Sequence, residues 1–295
     1  MRNKLILLLL SLLFGLGHYY LAGASNWEKT LDLSLNATQS SYSNSWSGGE
    51  AGNLSWTINA NGIFKRQLTP IFNLKNTAKL AFGQTSTQDK DTKKWSKPLK
   101  TTDQIDLESV GLFTLESFID PFVALRFQSQ FLDASGGSHN RYINPMLLTQ
   151  SAGIAKQPLK GEKNNILLRL GLAIRENIDR VLQLPDSATT KTVTATDGGL
   201  EYDADINLVL SDKLAYIGKL TLYKAFFFSK KNDFKGTPQA DYWKAIDVNW
   251  ETSLMASISK YVQVVFYTQL LYDKQIGLRG RLKETLSLGL TYKMF

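Results

Sequence analysis

Few residues are equipped for chemistry. Beyond residue 24 the sequence has one histidine, His139, in the run Gly136-Gly137-Ser138-His139-Asn140-Arg141. Serine, histidine and asparagine are the nucleophile, base and orienting group of a hydrolase, but that chemistry needs side chains converging from separate elements. Three consecutive residues of a glycine-rich loop do not converge, so His139 reads as a solvated loop residue and no catalytic residue is assigned. The sequence has no cysteine, which excludes a disulfide framework, thiolate metal sites and a cysteine nucleophile. Glu201, Asp203 and Asp205 share one face of an extended segment, yet strand rise spreads them over about 13 Å. That is too far for one cage of oxygen ligands, so neither a metal nor a cofactor is expected. The formal charge of +8 is scattered, whereas nucleic acid demands a concentrated basic stripe.

The remaining charged residues recur with a period of two, and the period identifies the elements that carry them. Trp27, Leu31, Leu33 and Leu35 alternate with Glu28, Asp32, Ser34 and Asn36, and Leu54, Trp56 and Ile58 alternate with Ser55, Thr57 and Asn59. Near the end Ile246, Val248, Trp250 and Leu254 alternate with Asp247, Asn249, Glu251 and Ser253. Each such segment is a ribbon with one greasy and one polar side. The pattern predicts about twelve strands: 27–38, 53–64, 72–84, 103–114, 122–132, 142–155, 164–176, 199–210, 214–227, 241–256, 260–272 and 281–295. Their connections alternate long and short. Gln39–Gly52, Gln84–Thr102, Asp133–Arg141, Asn177–Gly198, Ser229–Ala240 and Asp273–Gly280 read as long loops, against tight turns such as Ser211-Asp212-Lys213.

Residues 1–24 read as a cleaved signal peptide, with Arg2 and Lys4 before the apolar run Leu5–Leu16 and small residues at Ala22-Gly23-Ala24. The run is too short for the roughly 20 residues of a helical span. Residues 25–295 then form one domain. An exported chain with strand periodicity is a soluble sandwich or a closed membrane barrel, the only sheet that satisfies its backbone in lipid. Aromatics near predicted strand ends (Trp27, Phe64, Phe72, Phe82, Tyr142, Tyr272, Tyr292) favour the barrel. The expected fold is therefore all-β, a single antiparallel transmembrane β-barrel of about twelve strands. The expected location is the outer membrane, with both termini on the periplasmic side and lipid and lipopolysaccharide as surroundings.

On that reading the polar face lines the lumen. The parities place Arg126, Arg169, Arg175, Glu201, Asp203, Asp205, Lys219, Asp247 and Glu251 inside, with opposite charges on adjacent strands able to pair across the ladder. Arg281 and Lys283 on the last strand are expected to close against Glu28 and Asp32 on the first. Two readings stay open: mutual neutralisation in a filled lumen, or opposed charges forming a constriction that passes small solutes. The leading functional expectation is a narrow channel or passive transporter for small hydrophilic solutes, without enzymatic activity. The alternative is a closed structural or surface-interaction barrel acting through its loops; a lipid-modifying enzyme ranks below both.

Two stretches carry a resemblance. Ser287-Leu288-Gly289-Leu290-Thr291-Tyr292-Lys293-Met294-Phe295 resembles the closing-strand signal of outer-membrane proteins, with Ser287, Gly289, Tyr292 and Met294 in frame and Phe295 one residue beyond. The resemblance implies the barrel assembly machinery as a partner of this strand. Gln39 followed by Asn44-Ser45-Trp46-Ser47-Gly48-Gly49-Glu50 resembles a Gln…Asn-Trp-x-x-Gly-Gly-Glu segment of an uncharacterised family of bacterial outer-membrane barrels, with Ser45 as an insertion. That family implies a fold and no activity.

Overall fold

A strand leaves unpaired backbone groups along both edges, and closing a sheet on itself is the one arrangement that removes every edge. The computed structural model describes residues 26–42, 51–115, 117–135, 139–161, 163–183 and 189–293. Its strands are β1 (Glu28–Ser40), β2 (Asn53–Thr69), β3 (Phe72–Thr87), β4 (Leu99–Phe113), β5 (Asp120–Ser129), β6 (Leu132–Asp133) and β7 (Arg141–Tyr142). They continue as β8 (Met146–Lys160), β9 (Asn165–Leu182), β10 (Thr190–Ser211), β11 (Leu214–Phe228), β12 (Ile246–Ser257), β13 (Val262–Tyr272) and β14 (Arg281–Lys293). All except β6 and β7 close into one antiparallel barrel of twelve strands, each paired with its chain neighbours and β14 with β1. Helix among the described residues is limited to two 3-10 turns, Lys231–Phe234 and Tyr242–Lys244. The expected signal peptide lies outside the described residues.

Several expected loops are partly strand: β1 runs on to Ser40, and Gln84–Thr102 gives its ends to β3 and β4. The stretch expected as the loop Asn177–Gly198 continues the β9–β10 ladder, from Asp197↔Arg175 outward to Thr190↔Leu182. Thr190, Thr192, Val193, Thr194 and Thr196 are β-branched and favour that extension. The ends of the expected loop Asp133–Arg141 pair as a small hairpin, Leu132↔Tyr142 and Asp133↔Arg141. Tyr142 therefore sits off the barrel wall. Long connections gather on one rim and short ones, such as 70–71 and 212–213, on the other.

The wall is inside out compared with a water-soluble protein. Outward-facing Leu172, Leu286 and Leu290 are 64%, 72% and 61% exposed. Inward-facing Arg169, Asp203 and Glu108 are 1%, 3% and 8% exposed. One sheet closes on itself, and among the described residues the only other sheet is the two-stranded β6–β7 hairpin. This is the lipid-facing pattern, and it separates the fold from a sandwich.

The seam is short. Asp32↔Lys293 through Asn36↔Gly289 join β1 to β14. At Gly289 the Asn36 side chain fills the place of a Cβ, whose ideal position lies 1.8 Å from Asn36 Oδ1 and 3.1 Å from the Leu35 carbonyl oxygen. Within the expected closing-strand signal, Ser287 is half-buried and Tyr292 is 58% exposed, while Met294 and Phe295 lie outside the described residues. The register corrects one expectation. Asp32 meets Lys293, and Arg281 and Lys283 stand at the opposite end of β14, because antiparallel closure brings the start of β1 to the end of β14.

Candidate functional site: the interior of the barrel

The nine charged residues expected on the interior do share that face, and most of them meet in one ion network. Arg126 on β5 binds Asp106 on β4 through two bonds, Nε to Oδ1 at 2.9 Å and Nη2 to Oδ2 at 2.6 Å. Arg169 on β9 reaches Glu108 on β4 at 2.8 Å, Asp205 at 3.1 Å and Asp203 at 3.5 Å. Lys219 on β11 donates to Glu108 at 2.7 Å and lies 3.8 Å from Asp205. Lys79 on β3 pairs with Glu251 on β12 at 3.2 Å. Nearer the long-loop rim, Arg175 is shared by Asp197 at 2.8 Å and Asp247 at 3.0 Å, and its guanidinium stacks over Tyr223.

Ladder neighbours account for only part of this. Asp203↔Arg169 and Asp205↔Lys219 are register partners, as the sequence predicts. The closest pairs of Lys219 and Lys79 cross the lumen instead. Strand β4 lies five steps from β11 around the ring of twelve, and β3 lies five steps from β12. Glu108–Lys219 and Lys79–Glu251 thus form a chord from one wall to nearly the opposite one.

The chord divides the interior into two unequal halves. On the β5–β8–β9–β10 side, Leu112, Phe122, Ala155 and Leu167 pack into an apolar cluster, and Arg169 lies 5.6 Å over the Phe122 ring. The glycine pair Gly153↔Gly171 lets β8 and β9 approach closely there. A Cβ on Gly153 would fall 2.2 Å from the Leu170 carbonyl oxygen, and one on Gly171 would fall 2.9 Å from the Phe122 ring. This half is filled.

The β13–β14–β1–β2 side is lined differently. Register and alternation turn Ser34, Asn36, Thr57, Asn59, Asn61, Thr285 and Ser287 inward. Asn61 sits directly opposite Lys79, whose ammonium is in the chord, and Thr285 shares the face of Lys283, which reaches Thr102 on β4 at 3.2 Å. Despite facing inward, Asn61 and Thr285 are exposed. On β14, β1 and β2 these short neutral side chains leave room for water at Asn61 and Thr285, while Tyr267 and Gln269 of β13 also turn inward and Gln269 reaches Glu251 at 3.3 Å.

Above the network, toward the long-loop rim, lies a cavity of about 210 Å³ lined in part by Arg126, Arg175, Glu201, Tyr223, Asp247 and Arg281. At the long-loop rim, the connection between β5 and β8 is fastened by the fully buried Asn144. Its amide donates to Asp133 at 2.8 Å and Asp179 at 2.9 Å, and its carbonyl accepts from the Arg180 amide. Burial pushes the Asp133 carboxyl up, but bonds from Ser135 and Asn144 and the Arg141 charge outweigh it and hold the group below its usual value.

Sequence reasoning missed Asp106, Glu108, Lys75, Lys79 and Asp197. Ile105-Asp106-Leu107-Glu108 does alternate, and that signal places both carboxylates inside. His139 is half-buried beside the loop hairpin, and Ser138 lies outside the described residues.

Residues 37–134 match the model of a family described as "Protein of unknown function (DUF3078)". The segment from Asn44 to Glu50 falls within that match but outside the described residues. No curated protein matches the chain. Among solved structures the chain is similar to the outer membrane channel COG4313 from Pseudomonas putida F1, at 15% identity over 94% of this chain and 97% of that one, with a TM-score of 0.37. It is also similar to the translocator domain of autotransporter NalP from Neisseria meningitidis, at 10% identity over 99% and 95%, TM-score 0.36. A third is the NanC porin, at 11% identity over 90% and 98%, TM-score 0.36.

Proposed function

We propose that this protein is a non-enzymatic outer-membrane barrel that passes small hydrophilic solutes through one half of its interior. The observation that carries the reading is the pair Asn61 and Thr285, inward-facing yet exposed, beside a chord of ion pairs that closes the other half. The apolar outer wall supports a lipid surrounding, and a ring of twelve strands lies between filled small barrels and wide porins. Charges bound to each other hold the chord fixed as an inner wall. The neutral lining opposite it then sets the bore. Lipid, lipopolysaccharide and the assembly machinery are the partners this placement implies.

The second reading is a sealed barrel acting through its loops, favoured by the reach of Lys219 and Lys79 across the lumen. Planar-bilayer recordings of the purified, detergent-folded protein separate the two. The proposal expects small discrete conductance steps that Asn61→Trp or Thr285→Trp abolishes. Silence above the empty bilayer would replace it with the sealed barrel.

A further inference from the structure

The barrel closes over less than half of its last strand. β1 and β14 share five register pairs, Asp32↔Lys293 through Asn36↔Gly289, against thirteen between β1 and β2 and ten between β13 and β14. Ala37–Ser40 of β1 pair with β2 alone, and Arg281–Leu288 of β14 pair with β13 alone. The seam therefore opens toward the long-loop rim as a wedge with its apex at Asn36 and Gly289. Strand rise gives its β14 side a length of about 27 Å. The side-chain bonds of β14 here run elsewhere, from Lys283 to Thr102 and from Ser287 to the Val265 carbonyl. Exposure follows the wedge. Ala37–Ser40 are exposed on both faces, and so are Leu282, Glu284, Thr285 and Leu286. In the fully paired β9 only the outer face is: Leu170, Leu172 and Ile174 are exposed, while Arg169, Gly171 and Ala173 are buried.

An open strand edge in hydrocarbon has no water to bond its amides and carbonyls, so the wedge calls for an occupant. Its two sides differ. Thr38, Ser40, Thr285 and Ser287 present hydroxyls to the lumen, and Leu282, Leu286 and Leu288 present alkyl groups to the lipid. A peptide strand matches poorly on two counts. Between two antiparallel edges it must run parallel to one of them, in a barrel that is otherwise antiparallel. Its constant width also does not suit edges that meet at an apex. A polar head with alkyl tails matches both sides, and lipid already bathes this wall. We propose that the upper seam is a lateral portal, where an acyl-chain amphiphile of the bilayer places its polar head inside the barrel while its tails stay in the membrane. Arg281 and Lys283 turn inward along the upper edge and Glu284 outward. Charges of both signs thus border the portal, and selection rests on amphipathic shape rather than on charge.

The portal goes beyond the channel reading, and conductance is not its readout. Single cysteines, free of native competitors, are placed in phosphatidylcholine vesicles doped with a phosphatidylethanolamine that carries maleimide on its head. Thr285→Cys and, two residues deeper, Ser287→Cys are expected to couple to the lipid. Asn61→Cys, inward and exposed but paired on both sides, is expected to stay unlabelled. Backbone amide exchange of the unmodified protein in vesicles needs no variant to fold. Those amides of Arg281–Leu288 that point away from β13 are expected to exchange faster than those of Gly289–Lys293 that bond β1. Coupling at Thr285→Cys but not at Ser287→Cys would mean lipid reaching over the rim. Disulfide-linked dimers through Ser287→Cys would put a second copy in the wedge. Either result, lipid coupling at none of the three positions or at all of them alike, or slow exchange along Arg281–Leu288 overturns the portal.

Discussion

The two halves of the barrel interior use the same backbone and opposite side-chain strategies. The β5–β8–β9–β10 half is filled by long charged residues, an apolar cluster and a glycine pair that draws two strands together. The β13–β14–β1–β2 half carries mostly Ser, Thr and Asn on β14, β1 and β2, with Asp32 and Lys283 among them and Tyr267 and Gln269 on β13, and two of its inward residues keep contact with water. What differs is side-chain length, since strand spacing is fixed at about 4.8 Å by hydrogen bonding. Stability is therefore concentrated in one half and space in the other. A substitution reports which half it belongs to by whether it moves unfolding or permeation.

The largest effect is expected from Arg169→Met. It leaves buried Asp203 without a basic partner and Glu108 and Asp205 with Lys219 alone, and removing one partner of such a cluster costs about 3–5 kcal/mol. Urea unfolding in detergent checks it, and a change below about 1 kcal/mol would remove the distinction between the halves. Next comes a matched pair of glycines. Gly153→Ala drives a methyl into the Leu170 carbonyl, which cannot yield without moving β9, and about 1–3 kcal/mol is expected. Gly289→Ala at the seam mainly displaces the Asn36 side chain, whose amide can rotate, so the cost should be smaller. A reversed order would place the rigid region at the seam.

The smallest effect lies outside both halves, at the clasp around Asn144. The Asp133 carboxyl has a folded value below the unfolded one of about 3.9. Its contribution is fully present above the unfolded value and is lost as pH falls through the lowered folded value. Limited proteolysis should therefore leave the connection between β5 and β8 intact near neutrality and cut it faster at strongly acidic pH. In Asp133→Asn that acid-dependent step should disappear.

Much of this fold is legible because alternation reports strand faces directly. The strand at 214–227, for example, is β11 (Leu214–Phe228) to within a residue. Parity also turned Arg169, Lys219 and Glu251 to the correct side. It says nothing of which charge a long side chain will choose. Lys219 and Glu108 are separated by five strands around the ring, and a period of two carries no information about chords. The Thr-rich extension of β10 was read as loop because its outer residues are exposed on both faces, which erases alternation. The cavity above the network was hidden for a related reason: its lining is gathered from strands between β5 and β14 that lie far apart in the chain.

The absence of native cysteine allows a direct test of the arrangement of faces and space. Single cysteines at Asn61, Thr285 and Leu172, in protein folded into lipid vesicles, are challenged with a small, charged, membrane-impermeant thiol reagent. Water in the neutral half predicts that Asn61→Cys and Thr285→Cys react while Leu172→Cys, buried in lipid, does not. Reaction at Leu172→Cys with silence at the other two would contradict both the lipid-facing wall and the open half.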